Sequence, residues 1–218
     1  MWQTSRVTVA ERHGGLRERK KARTHDALEQ AALELFTRQG FDHTTIEQIA
    51  EACEVSPRTF FRYFGSKVDV LFGGDLPGRR ARMLDLLAAQ PPSSPPLAAL
   101  RSAMVPIAAE YEGDRDRLAA RMAVIAATPS LQASKWEHQR GWDDAVVEVL
   151  TARAKREGVT ADPLQLRLVA AAGSAAFRAA FDSWLAAPPS SSLSALLDTA
   201  FDELARGLGQ PVRGARAR

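Results

Sequence analysis

Thr44-Thr45-Ile46-Glu47-Gln48-Ile49-Ala50-Glu51-Ala52-Cys53-Glu54-Val55-Ser56-Pro57-Arg58-Thr59-Phe60-Phe61-Arg62-Tyr63-Phe64-Gly65-Ser66-Lys67 is the stretch on which the fold turns. Thr44 followed three residues later by Glu47 reads as a capping box, with the threonine hydroxyl and the glutamate satisfying each other's free backbone N–H groups. Ile46, Ile49, Ala50 and Cys53 then mark the buried face of a short helix. Glu54-Val55 fits a tight turn. Ser56 as N-cap and Pro57 at the first helical position, where no N–H is needed, start another helix. Phe60, Phe61 and Phe64 give it an apolar side. Gly65 ends it, and Ser66-Lys67-Val68-Asp69 opens a further helix with a cap of its own.

Upstream, Leu28, Ala31, Ala32, Leu35 and Phe36 fall at i, i+3, i+4, i+7 and i+8, one apolar stripe, and Gly40 follows as a C-cap. Three capped helices, the last two closely spaced, have the layout of a helix-turn-helix unit. The helical pattern begins at Arg17. Residues 1–15 lack periodicity, carry Gly14-Gly15 and read as a flexible arm, so the reading unit spans 16–66.

Downstream, helical stretches cover Leu97–Tyr111, Arg115–Ala127, Leu131–Glu157, Pro163–Ala186 and Ser192–Leu208. Their breakers are Pro91-Pro92-Ser93-Ser94-Pro95-Pro96, Gly113-Asp114, Thr128-Pro129, Gly158 and Pro188-Pro189-Ser190. Gly73-Gly74 and Pro77-Gly78 interrupt the fourth helix or its continuation. Nothing alternates with period two for long enough to make a sheet. The expectation is an all-α chain: a three-helix helix-turn-helix domain, then a larger helical domain over 67–208 for ligand binding and dimerisation, and a flexible tail over 209–218.

Bulk properties fit a soluble globular protein and exclude several classes. Of 218 residues, 45% are apolar and 25% charged, enough to bury a real core. The net charge of +3 is too small to argue for nucleic acid by itself, but Arg17–Arg23 holds five cations and one acid, and a local basic patch attracts phosphate even on a nearly neutral protein. A lone cysteine, Cys53, makes no internal disulfide or cysteine-rich zinc site. The four histidines show no metal-ligand spacing. No apolar run approaches the roughly 18 residues that span a bilayer, and the N-terminus lacks the apolar core of a secretory signal. The reading is a cytoplasmic protein with no membrane contact, no metal and no cofactor. No spacing of Ser, His and Asp argues for a triad and no phosphate-binding loop is present, so no catalytic residue is nominated and an enzyme is not expected.

A recognition helix packs one face on its neighbours and offers polar or basic groups to base edges and phosphates on the other. Here the phenylalanines serve the first duty. Arg58, Thr59, Arg62, Tyr63 and Lys67 serve the second. Arg58 and Arg62, four apart, can reach guanine O6/N7 or a phosphate. The helix starts at Thr44, Thr45 and Ser56 present backbone N–H groups to phosphate, and Lys67 suits the flanking backbone. Arg17, Lys20 and Lys21 complete the candidate DNA-contact set. Taken singly, the basic run fits a solvated helix start, the phenylalanines fit core, and Ser-Pro is only a helix start; the ordered combination points to DNA.

That combination resembles the DNA-binding signature of the TetR family of transcriptional regulators, over about Arg17 to Leu71. The resemblance implies an all-α homodimer, a palindromic operator in double-stranded DNA, and a repressor released when a small molecule binds the C-terminal domain. The chain departs from the pattern at Phe61, where the family usually has Tyr, and at Cys53 or Arg58, near which it usually has Gly. Glu47, Glu51 and Glu54 also make the second helix acidic.

In the larger domain, Arg121-Met122-Ala123-Val124-Ile125-Ala126-Ala127-Thr128-Pro129 together with Trp136, Gln139, Arg140 and Trp142 is similar to TetR-type regulators of acyl-CoA-like or other lipophilic ligands. The expected effector pocket draws on Met104, Met122, Ile125, Trp136, Arg140, Trp142 and Phe177, since methionines and aromatics suit adaptable apolar binding. Simple interhelix packing is the alternative for each tryptophan. For dimerisation the candidates are the small-residue run Ala170–Ala176, then Phe177, Phe181, Trp184 and Leu185, and the stripe Leu193, Leu196, Leu197, Ala200, Phe201 and Leu204, which would form a four-helix interface closed by a twofold axis. Two other functions stay open: a ligand carrier or enzyme with a vestigial DNA domain, which would turn over a bound small molecule, and a non-specific DNA-compacting protein, which would bind any duplex alike.

Overall fold

A computed structural model describes residues 9–72, 76–91 and 93–207, with side chains for 20–72, 78–91 and 93–207. Its regular elements among these residues are all helical: α1 Val9–Gln39, α2 Ile46–Ala52, α3 Pro57–Phe61, α4 Lys67–Phe72, α5 Leu76–Ala89, α6 Pro96–Tyr111, α7 Arg115–Ala127, α8 Gln132–Arg156, α9 Pro163–Ala186 and α10 Leu193–Arg206, with single 3-10 turns before α7 and α8. The arm expected over 1–15 lies outside the described residues as far as residue 8, and from Val9 the chain is helical. Gly14-Gly15 sit inside α1; glycine weakens a helix yet keeps its N–H, so the ladder continues. Pro77-Gly78 likewise lie in the first turn of α5, where proline's missing N–H has no partner to lose. The expected tail lies outside the described residues.

The chain divides into two compact units, Met1–Leu76 with Ala120–Ser134, and Pro77–Ala119 with Lys135–Arg218. The sequence boundary at 66/67 is therefore displaced. α4 stays with the first unit because Val70 and Leu71 are fully buried in its core, and the second half of α7 rejoins it through Val124, Ile125 and Leu131. Leu28, Ala32, Leu33, Leu35, Phe36, Phe41, Ile49, Phe60 and Phe64 supply the rest of that core, each large apolar side chain contributing about 1.5–3 kcal/mol when fully buried. Glu29 of α1, 1% exposed, is ion-paired with the buried Arg121 of α7. A buried charge is tolerated only with such a partner.

In the second unit α6, α9 and α10 pack together. A Cβ on Gly173 of α9 would stand 2.4 Å from Leu100 Cδ2 of α6, so the missing side chain is what lets the two helices approach. Leu193, Leu197 and Phe201 bury one face of α10, and Arg101 of α6 grips its Asp198 and Asp202 at 2.7 and 2.6 Å. Arginines also close two helix ends, where the last carbonyls lack intrahelical partners. Arg153 of α8, 4% exposed, donates to the carbonyls of Leu87, Gln90, Pro91 and Ser94. Arg115 donates to those of Trp184, Ala187 and Pro188.

Candidate nucleic-acid interface

The helix-turn-helix is set by its caps. α2 is capped by Thr45, one residue later than the sequence reading: its hydroxyl accepts from Gln48 N at 3.2 Å, and Gln48 Oε1 accepts from Thr45 N at 3.0 Å. Thr44 is 1% exposed and its hydroxyl donates back to Gly40 O at 2.8 Å, so Thr44 is a closure of the α1–α2 corner and its side chain is not presented to a duplex. Gln39 fastens the same corner, donating to Gln48 Oε1 at 2.9 Å. Glu47, Glu51 and Glu54 are all exposed. With Gln48 as the capping partner, no cap neutralises Glu47, and attraction for phosphate falls to α1 and α3.

Between α2 and α3 the chain closes a Schellman turn: Val55 N donates to Ala50 O at 2.9 Å and Glu54 N to Glu51 O at 2.9 Å. The turn needs a left-handed residue, and Glu54 holds φ 54° there, a conformation that suits glycine. Ser56 then caps α3, its hydroxyl accepting from Thr59 N at 3.2 Å and bonded to Thr59 Oγ1 at 3.0 Å. Phe60 is 0% and Phe64 3% exposed, whereas Phe61 is 54% exposed. Successive helical residues turn by 100°, so Phe61 cannot share the face of Phe60 and Phe64. It stands on the open side with Arg58 and Arg62, both exposed.

Other expected contact residues divide. Lys20 and Lys21 are exposed on α1; the Arg17 side chain lies outside the described residues. Tyr63 is half-buried, its hydroxyl accepting from Arg62 Nη2 at 3.4 Å. Burial pushes its phenol up, but the hydrogen bonds with Arg62 and Thr24 and the nearby cations outweigh this and bring it below the usual tyrosine value. Lys67 is not free for the flank in the way the sequence implied: its ammonium donates to Phe41 O at 2.7 Å and Thr44 O at 3.0 Å and lies 4.4 Å from the Phe41 ring centroid.

Residues 29–72 match the model of bacterial regulatory proteins of the tetR family, and residues 94–209 match the MftR C-terminal domain. The chain is 36% identical over 199 residues to the HTH-type transcriptional regulator TcmR of Streptomyces glaucescens, covering 87% of this chain and 86% of that one. The chain belongs to the TetR family of transcriptional regulators. A second TetR-family relative, described as a mycofactocin biosynthesis transcriptional regulator, MftR of Mycobacterium tuberculosis, is 30% identical over 190 residues, 87% of this chain and 93% of that one. Among solved structures, the TetR-family repressor FadR of Thermus thermophilus in complex with lauroyl-CoA is 25% identical, with a TM-score of 0.54 over 89% of this chain and 98% of that chain. In the TetR layout, α1–α4 here form the DNA-reading unit.

The residues expected to line an effector pocket are not brought together within one unit. Ile125 is core of the DNA-reading unit and Met122 packs against it; their apolar helical spacing is that of any buried face. Met104, Trp136, Arg140, Trp142 and Phe177 belong to the second unit. Trp136, 68% exposed, and Arg140 face solvent, and Met104 is buried. Phe177 stacks on Phe181 at 5.7 Å and meets Tyr111 edge-on at 5.6 Å. Sequence reading missed Tyr111, Arg79 and Arg80. Arg79 lies 4.6 Å above the Tyr111 ring and pairs with Asp114. Burial raises the Asp114 carboxyl, but Arg79 and Arg117 hold it below the ordinary range. Arg80 lies 5.2 Å from the Trp142 ring centroid. No group of three metal ligands occurs among the described residues, and no helix among them is long and apolar enough to cross a membrane.

Proposed function

We propose that this regulator is a homodimeric repressor that places α3 of each subunit in the major groove of a palindromic operator and leaves it when a small lipophilic effector binds the second unit. The observation that carries the reading is the split of α3: Phe60 and Phe64 buried, Arg58, Phe61 and Arg62 exposed beside one another. Arginines on such a face pair with guanine O6/N7 or with phosphate. An exposed phenylalanine, in place of the usual tyrosine, offers an apolar contact to a thymine methyl and no hydroxyl to a phosphate. Ser56, Thr59 and Thr45 flank these groups, and Lys20, Lys21 and Arg17 supply further phosphate attraction from α1.

Twofold pairing is supported by α9. Phe181 and Trp184, 8% and 1% exposed, are used inside the unit, so the larger aromatics of the expected interface do not serve it. The opposite face carries Leu164 and Leu168, 64% and 60% exposed, with exposed Ala171, Ala175 and Ala179 in register. Small residues along one helical stripe allow two helices to approach closely, and a self-complementary stripe suits a twofold axis. For the effector, support comes from the resemblance to a repressor whose structure holds lauroyl-CoA, and from the aromatic set Tyr111, Phe177 and Phe181. A ligand that favours one spacing of the two reading heads weakens DNA by its differential affinity, about 1–3 kcal/mol.

The test is a titration of the protein–operator complex, formed on a duplex selected by the protein itself, with lauroyl-CoA and with uncharged lipophiles. Two subunits per duplex by sedimentation and release by at least one lipophile are expected. One subunit per duplex, or a complex indifferent to every lipophile, would overturn dimeric recognition or effector release respectively.

A further inference from the structure

Arg79 and Arg80 are adjacent on α5 and have different surroundings. Arg79 is neutralised by Asp114 and Glu110. Arg80 is half-buried against the Trp142 face and has neither a hydrogen bond nor an ion pair among the described residues. A half-buried charge without an ion-pair partner is costly, and a ligand's anionic group can supply the counter-charge. The carboxylate that acts on Arg80, Asp143, is engaged elsewhere: it accepts from Ser174 Oγ and from Gln139 Nε2, the latter at 3.1 Å, both on Oδ1. Burial lowers the guanidinium's affinity for its proton, and the Tyr111 phenol and the Asp143 carboxylate act in the opposite sense without offsetting it. Tyr111, buried in the same unit, meets Phe177 at 5.6 Å and Phe181 at 6.3 Å. The result is a planar, five-donor cation over an indole ring, in the same unit as the Tyr111, Phe177 and Phe181 cluster.

We propose that Arg80, held over Trp142, anchors the anionic oxygen group of the effector, and that the effector is an amphiphilic acid: a carboxylate bound by the guanidinium fork, with an apolar body against Trp142. A guanidinium stacked on an indole keeps its N–H edge free for bidentate carboxylate binding. Arg140, which the sequence had offered for the same duty, is exposed and remains a solvent-side group. The inference rests on the effector half of the proposed function and names the chemistry that half leaves open.

The experiment is calorimetric titration of the full-length protein with matched probes, decanoate against decanol, 2-naphthoate against 2-naphthamide, and decanoyl-CoA, for wild type, Arg80→Met and Arg80→Lys. Operator release is followed in parallel. In the wild type the acids are expected to bind at least tenfold tighter than their neutral partners. In Arg80→Met that ratio falls to near one, and Arg80→Lys restores part of it. Without ligand, Arg80→Met is expected to raise the melting temperature by roughly 2–4 °C, since a half-buried cation with no ion pair among the described residues is removed; a fall would make Arg80 a packing residue and overturn the proposal. Equal binding of acids and neutral probes with operator release would remove the anchor and leave the effector reading standing. Tight binding of decanoyl-CoA alone, indifferent to Arg80, would do the same. Binding of none of the probes would overturn both.

Discussion

Substituting Phe60 and Phe61 one at a time separates packing from recognition. Phe60→Ala empties a fully buried site and is expected to cost about 3–5 kcal/mol. Phe61→Ala, on the solvent side, is expected to cost less than about 1 kcal/mol while weakening operator binding; chemical denaturation and fluorescence anisotropy would give both numbers. A large stability loss in Phe61→Ala would show that the ring is core. This division was present in the sequence as helical phase, 100° between neighbours, and was obscured by treating three phenylalanines as one cluster. Lys67 shows the opposite limit. Nothing in the run Tyr63-Phe64-Gly65-Ser66-Lys67 reveals that the ammonium closes the carbonyls of Phe41 and Thr44, 26 and 23 residues away. Lys67→Ala is therefore expected to destabilise the protein by about 1–2 kcal/mol and to weaken binding on every sequence. Arg58→Ala, by contrast, is expected to relax preference at one base step with little loss of stability. Equal losses across all duplexes for both variants, or no change in melting for Lys67→Ala, would contradict this assignment.

Among elements, the turn between α2 and α3 stores strain in Glu54, the left-handed residue of a Schellman closure. Glu54→Gly is expected to stabilise the protein by about 0.5–1 kcal/mol, less whatever entropy glycine adds to the unfolded chain, and to strengthen non-specific DNA binding by removing an exposed acid. A lower midpoint in denaturant for Glu54→Gly would mean that the carboxylate makes a contact outweighing the backbone strain. The existence of each helix was legible because caps and breakers are local signals: Ser56-Pro57, Gly40, Gly158 and Pro188-Pro189 act over a few residues. Ends were less legible where two neighbours can cap, as with Thr44 and Thr45; the corner carbonyl of Gly40 takes the first hydroxyl and leaves the second for α2. The arginine closures by Arg115 and Arg153 were invisible, because each joins carbonyls more than fifty residues away.

For the molecule as a whole, the division into a DNA-reading unit and a second helical unit followed from the motif, but its boundary did not. Residues 120–134 return to the first unit through Val124, Ile125 and Leu131, and that return depends on tertiary packing that no local pattern records. The expected ligand set is divided between the two units, since Met122 and Ile125 lie on that returning segment. Twofold assembly is the claim that belongs at this scale. Leu168→Glu places a charge on the exposed stripe of α9 and, for a dimer closed there, is expected to give monomers at micromolar concentration and to weaken operator binding at least tenfold. A dimer undisturbed by Leu168→Glu would move the interface elsewhere. The most direct measurement of the central claim is selection of duplexes from a random pool by the full-length protein, with affinity for the winner followed against salt. The expected result is a palindromic site bound far more tightly than random duplex, at a salt slope that reflects only the phosphate contacts. No enriched sequence, with binding that tracks salt alone, would contradict sequence-specific dimeric recognition and leave α3 as a phosphate-binding surface.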